Sequence, residues 1–309
     1  IEMEELQSAI HDFYSGQCKD IHQTVHSIRH SYAKLLRQGN DFSFLNEKTQ
    51  LSSFRTRRGQ LWGIFLSLGE FDCPDEQKLY SNVKQKDFKE IVENQQREID
   101  RIKKDQGFGQ IEIDEYASWL TLFSGLIFNI TSTKRVFHQE TYAFGLFFLR
   151  NLDLVTSYQA YFHLISPIKH AFLLETTNRI SQLCDMCKEI IQNCDSDLYQ
   201  IMRNIDNYTT TYAPISSLFS QLRPMESVEI LWDFLFVYGI EFCVYLEAAW
   251  LVLKRQTILD NHRAQNIAQD HQFSHTPRDL ILKAIELYQT LNEQKRKDIG
   301  SKIHLAIYS

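Results

Sequence analysis

Proline and glycine are scarce in this chain, at 5 and 11 of 309 residues. So few turn-formers predict long elements joined by short connections. No stretch sustains the apolar–polar alternation of a strand, and the expected fold class is all-α, multi-helical. Lysine and arginine never form a dense block. The nearest approach is Arg97, Arg101, Lys103 and Lys104, which acidic residues interrupt. With a net charge of −6, nucleic acid is not an expected partner. The longest apolar region, 228–253, contains Asp233, Glu241 and Glu247. It is therefore expected in a core, and no transmembrane segment is predicted. The N-terminus, IEMEELQSAI, has no signal-peptide pattern. There is no P-loop, so the chain is not expected to bind GTP itself, and no G-x-S-x-G elbow. Nothing calls for a cofactor.

Six cysteines occur without framework spacing. Cys184-x-x-Cys187, with Cys194 seven residues on, has no second pair to complete a zinc site, and buried thiols are expected. His22, His26 and His30 fall on one helix face, but a third histidine along one helix lies too far to share an ion easily. An exposed or interface stripe is the expectation there, and no metal.

What is present is apolar periodicity. Residues 1–39 read as helix, broken at Gly39-Asn40-Asp41, and a helix containing Trp62 is expected to end near Gly69. Asp72–Asp75 reads as a turn and 76–104 as polar helix. Asp114 is expected to N-cap a helix reaching about Ile130, and another follows Thr133 as far as Arg150. Pro167 and Pro214 mark further boundaries, 266–276 is a polar linker, and a last helix or pair covers 278–307. The most regular stretch is 228–239, VEILWDFLFVYG. Val228, Leu231, Trp232, Leu235 and Phe236 form one stripe, and Gly239 is expected as a left-handed C-cap. A second helix over 241–259 carries Phe242, Tyr245, Leu246, Ala249 and Leu253. Trp232 should be buried, and Asp233 needs a donor or cation beside it.

These two helices resemble the C-terminal signature of the TBC family, GTPase-activating domains that act mainly on Rab-type GTPases. Upstream, Arg58 stands four residues before Trp62, as in the opening of such domains. Ile91-Val92-Glu93-Asn94-Gln95-Gln96-Arg97 is similar to the family's I-x-x-D-x-x-R motif, with Asn94 in place of Asp. Phe137-His138-Gln139-Glu140-Thr141 is similar to Y-x-Q-G-M and keeps only the glutamine. Asp195–Met202 and Tyr212–Phe219 resemble later elements. Lengths and the closing segment look closest to the small mitotic-exit and septation GAPs, with degenerate catalytic motifs.

The resemblance implies a TBC-like domain over 47–265, with helical extensions at 1–46 and 266–309 packed on it. It implies Arg97 as arginine finger and Gln139 as the glutamine that orients the attacking water. Arg101 competes with Arg97 if the register differs, and Asn94, Phe137 and Glu140 would border the GTPase. Arginine suits the first role because its planar, permanently charged fork stabilises the transferring phosphoryl group, at roughly 10³–10⁵ in rate. Glu140 opposes it, since glycine at that place lets backbone approach the nucleotide. A carboxylate at ~7 Å from one phosphate charge, at an effective dielectric of ~20, repels it by roughly 2 kcal/mol, or on the order of 30-fold in rate.

Two readings stay open. One is a GTPase activator, a regulator rather than an enzyme in its own right, acting on a Rab-like or septation-type small GTPase with a separate scaffold subunit. The other is a weak or inactive TBC fold that binds a GTPase, or serves a cytoskeletal assembly such as a spindle pole, basal body or axoneme. Both imply a cytoplasmic protein, cytoskeleton-associated under the second.

Overall fold

A computed structural model of the chain describes residues 2–39, 42–68, 97, 100, 113–131, 139–174, 176–205, 208, 210–261 and 275–309. The fold is all-α. In chain order the described helices are α1 (Glu2–Tyr14), α2 (Ile21–Gln38), α3 (Arg57–Phe65), α4 (Ile113–Thr131), α5 (Gln139–Asn151), α6 (Leu154–Lys169) and α7 (Thr176–Cys194). They continue with α8 (Ser196–Ile205), α9 (Tyr212–Ser216), α10 (Met225–Tyr238), α11 (Cys243–Leu253), α12 (Arg255–Asn261), α13 (Pro277–Thr290) and α14 (Glu293–Tyr308). Extended pairing among the described residues is limited to two isolated antiparallel bridges, Lys48 with Thr56 and Phe54 with Leu152. Two compact units result: residues 1–41 with 176–309, and residues 42–175. They follow packing, whereas the segments read from the sequence follow family resemblance.

In the first unit, α7 packs against α8, α9, α11 and α14, while α10 and α13 both meet α2. The helix expected over 1–39 is two helices. Gly16, at φ +70°, closes the first. Asp20 then N-caps the second by accepting a bond from the Gln23 amide at 3.0 Å. Gly39, left-handed at φ 69°, ends it as expected.

The stripe of α10 is buried as expected. Trp232 is 1% exposed, and its Nε1 donates to the Leu218 carbonyl at 2.8 Å. Asp233 is fully buried and accepts from the Tyr32 hydroxyl at 2.6 Å, which joins α10 to α2. Gly239 departs from expectation. Its φ of 110° and ψ of 148° lie outside the left-handed helical region, in territory open essentially to glycine alone. The chain leaves α10 extended, passes through a 3₁₀ turn at Ile240–Phe242, and only then enters α11. The helix expected over 241–259 is likewise interrupted, at Lys254. Phe242 and Leu253 are half-buried, whereas Tyr245, Leu246 and Ala249 are core.

Cys184 and Cys187 are buried in α7, as expected, and Cys194 at its end is exposed. His22, His26 and His30 are exposed on α2. The expected terminal pair is α13 and α14, the first opened by a capping box between Thr276 and Asp279.

In the second unit, Phe144, Phe147 and Phe148, which fall at helical spacing along α5, are core. Asp114 lies within the first turn of α4 and not at its cap. Acidic residues favour that turn as well as the cap, so the sequence signal is shared between neighbouring positions. Pro167 does not end α6. The helix runs to Lys169 and passes into a π-helical turn, His170–Leu174. A proline near a helix end removes one donor without forbidding the turns that follow it. Residues 72–75, the 266–274 part of the linker and most of 76–104 lie outside the described residues.

Two expectations follow for the α10 core. Trp232→Ala should lower the unfolding free energy by about 3–5 kcal/mol in urea titrations. Tyr32→Phe, which strips Asp233 of its hydroxyl donor, should lower it by about 1–3 kcal/mol. A loss below about 0.5 kcal/mol in the second case would show that the bond is not part of what holds α2 to α10.

Candidate functional site

The site implied by the sequence lies in the unit 42–175, and its best-defined element is α5. This helix carries Gln139 and Glu140 at its N-terminal end.

The rest of α5 is fixed firmly. Gly145 lets the indole of Trp119 lie against the helix, since a Cβ there would come within 2.2 Å of the ring. Trp62 of α3 meets Phe148 edge-on, with ring centroids 5.8 Å apart.

At its C-terminal end α5 is tied to the start of α3 through Asn151. The Asn151 carbonyl accepts from the Arg55 amide at 2.8 Å and the Thr56 amide at 3.3 Å. Its Oδ1 accepts from the Thr56 hydroxyl at 2.6 Å, while its Nδ2 donates to the Phe147 carbonyl at 2.9 Å. Thr56 is also the N-cap of α3, accepting from the Gly59 amide. Gly59 is required here for space, because a Cβ on it would sit 2.1 Å from the Asn151 carbonyl oxygen. Arg55 pairs with Glu115 in the first turn of α4. Arg58, which the sequence marks four residues before Trp62, is 1% exposed and donates to Asn46 Oδ1. Its role is therefore inside the fold and not at a partner's surface. Asn46, Asn151 and Glu115 were not singled out by the sequence. Lone asparagines and a first-turn glutamate carry no periodic or motif signal, and only the packed geometry brings them together.

Arg97 is helical and exposed, and it belongs to the same unit as Gln139. Asn94, Arg101 and Phe137 lie outside the described residues. Among the described residues no group of three or more histidine, cysteine, aspartate or glutamate side chains is arranged to hold a metal ion. No described helix is long and apolar enough to cross a membrane.

With that geometry, the comparisons with known proteins are specific. The model of the Rab-GTPase-TBC domain matches residues 56–259, from the N-cap of α3 into α12. Among solved structures, the Ypt/Rab-GAP domain of Gyp1p is similar, with a TM-score of 0.51 and 14% identity over 92% of each chain. At that identity the likeness concerns the fold. No curated protein matches this chain.

The junction at Asn151 yields one expectation. Gly59→Ala should destabilise the protein by about 1–3 kcal/mol, because the Asn151 carbonyl must move and its amide bonds with it. Unfolding titrations that show Gly59→Ala as stable as the wild type would mean that the close approach of α3 to residue 151 is not needed.

Proposed function

Since the chain belongs to the Rab-GTPase-TBC domain family, we propose that it engages the GTP-loaded form of a Rab-like small GTPase and stimulates its hydrolysis. Arg97 would supply the charge that stabilises the transferring phosphoryl group, and Gln139 would orient the attacking water. The observation that carries this reading is the family match spanning both residues. Their placement supports it: Arg97 is exposed on a helix, and Gln139 opens a helix anchored at its other end. The GAP-type domain would occupy 47–265, with 1–46 and 266–309 as helical extensions. A septation-type GTPase and a scaffold subunit are the partners that the subfamily resemblance suggests.

Two departures favour a second reading. Asn94 replaces the motif aspartate and Glu140 replaces its glycine. A protein held down by these changes would dock a GTPase without much hydrolysis, and could serve a cytoskeletal assembly instead.

GTP hydrolysis by a panel of Rab-type GTPases distinguishes the two. Under the first reading Glu140→Gly raises the stimulated rate by roughly 10-fold or more, and Arg97→Ala in that background removes the gain. If the wild type and Glu140→Gly are both inert on every GTPase that binds them, the chain is a docking platform. Strong wild-type stimulation that Arg97→Ala abolishes would show that Glu140 points away from the nucleotide.

A further inference from the structure

Helix α2 precedes the family match, which begins at residue 56, so its surface is independent of the GTPase reading. One face of α2 is buried through Ile28, Tyr32, Leu35 and Leu36. Another carries His22, His26 and His30, all exposed. Among the described residues none of these three is engaged in a hydrogen bond, an ion pair or a ring contact. The backbone beneath them is firmly seated. Asp20 caps its first turn, and Tyr32 bonds the buried Asp233 of α10.

Spacing decides what such a stripe can hold. Side chains four apart on a helix have Cβ atoms about 5–6 Å apart. Two imidazoles so related can reach one ion at a Zn–N distance of about 2.0–2.1 Å, as the paired histidines of an H-E-x-x-H helix do. His22 with His26 is one such pair, and His26 with His30 is another. His22 and His30 are about 12 Å apart along the axis and cannot share an ion. His26 therefore belongs to both pairs, and the stripe holds one ion at a time. No residue of α2 is acidic, and no third histidine, cysteine or carboxylate among the described residues completes a cage. Ligands that are nitrogen alone suit zinc, nickel or copper, and not calcium or magnesium, which take oxygen. With two protein ligands, and with Arg29 and Lys34 on the same helix, the ion is held exchangeably.

We propose that α2 is a two-histidine chelate for a divalent ion of the zinc class. It takes one ion per chain, with His26 as the constant ligand and either His22 or His30 as the second. Water fills the remaining coordination positions. The ion clips adjacent turns of the helix whose Tyr32 holds Asp233, so the loaded chain resists unfolding more than the empty one.

The test titrates zinc chloride into the full, chelator-treated chain by isothermal calorimetry near neutral pH, where imidazole can ligate, with the melting temperature followed in parallel. Saturable binding of one ion per chain is expected, with a melting temperature that rises with zinc. His26→Ala removes both pairs and should weaken binding by about 10-fold or more. His22→Ala and His30→Ala each leave one pair and should weaken it by only about 2- to 3-fold. His304→Ala, on α14 beside Glu241, should leave it unchanged. The α2 variants remove exposed side chains and put a good helix former in their place, so their zinc-free melting temperatures should match the wild type. Should His26→Ala melt early, His26→Gln takes its place. Absence of saturable binding overturns the proposal. So does binding that the His26 variant leaves intact, or that all three α2 variants weaken alike. One ion per two chains would also overturn it, and would make the stripe a bridge between copies.

Discussion

A helix that is apolar on nearly every side has no stable place at a protein surface. Residues 225–253 impose that constraint twice, since α10 and α11 are both buried along most of their length. In the unit that contains them, α2, α7, α9 and α13 pack on one or the other and supply the apolar cover. Three acidic residues ride inside this core, Glu229, Asp233 and Glu247. Asp233 accepts from Tyr32, so a contact across 201 residues of sequence is set by the need to solvate one carboxylate. The aspartate that helps keep the segment from reading as a membrane span thus also ties α2 to α10.

The unit 42–175 is organised differently. Its core is aromatic: Trp119 stacks on Phe123 with centroids 4.7 Å apart, and Tyr161 meets both rings edge-on. Apolar packing of this kind positions helices but tolerates sliding. The polar junction around Asn151 removes that freedom, because amides, a hydroxyl and a carbonyl all have to find their partners at once. In the proposed mechanism this matters at the far end of α5. A glutamine that orients a water must be held within a fraction of an ångström, and a helix pinned at its base and packed along its length can do so.

Motif, burial and helix content were legible to different degrees. Trp232, the phenylalanines of α5 and the all-α class followed from spacing, because period 3.6 is a direct image of which face meets the core. The termini of elements were less legible. The break between α1 and α2 turns on Gly16 and Asp20, two ordinary residues whose effect depends on backbone angles. Gly239 was recognisable as a stop, but its conformation was not, since glycine is permitted in several regions and the following 3₁₀ turn selects among them. Pro167 shows the reverse case, a strong breaker overruled by the helix on either side of it.

By itself the sequence determined the helical class, the buried stripes, the absence of a nucleotide-binding loop and the membership signalled by 228–259. Each rests on residues close together along the chain, where periodicity and motif order carry the information. Only the tertiary structure decided that Tyr32 would serve Asp233, that Arg58 would turn inward, and that Asn46 and Asn151 would brace α3 and α5. Those outcomes depend on desolvation and hydrogen-bond geometry between groups far apart in the chain, and such groups have no defined distance until the core is packed.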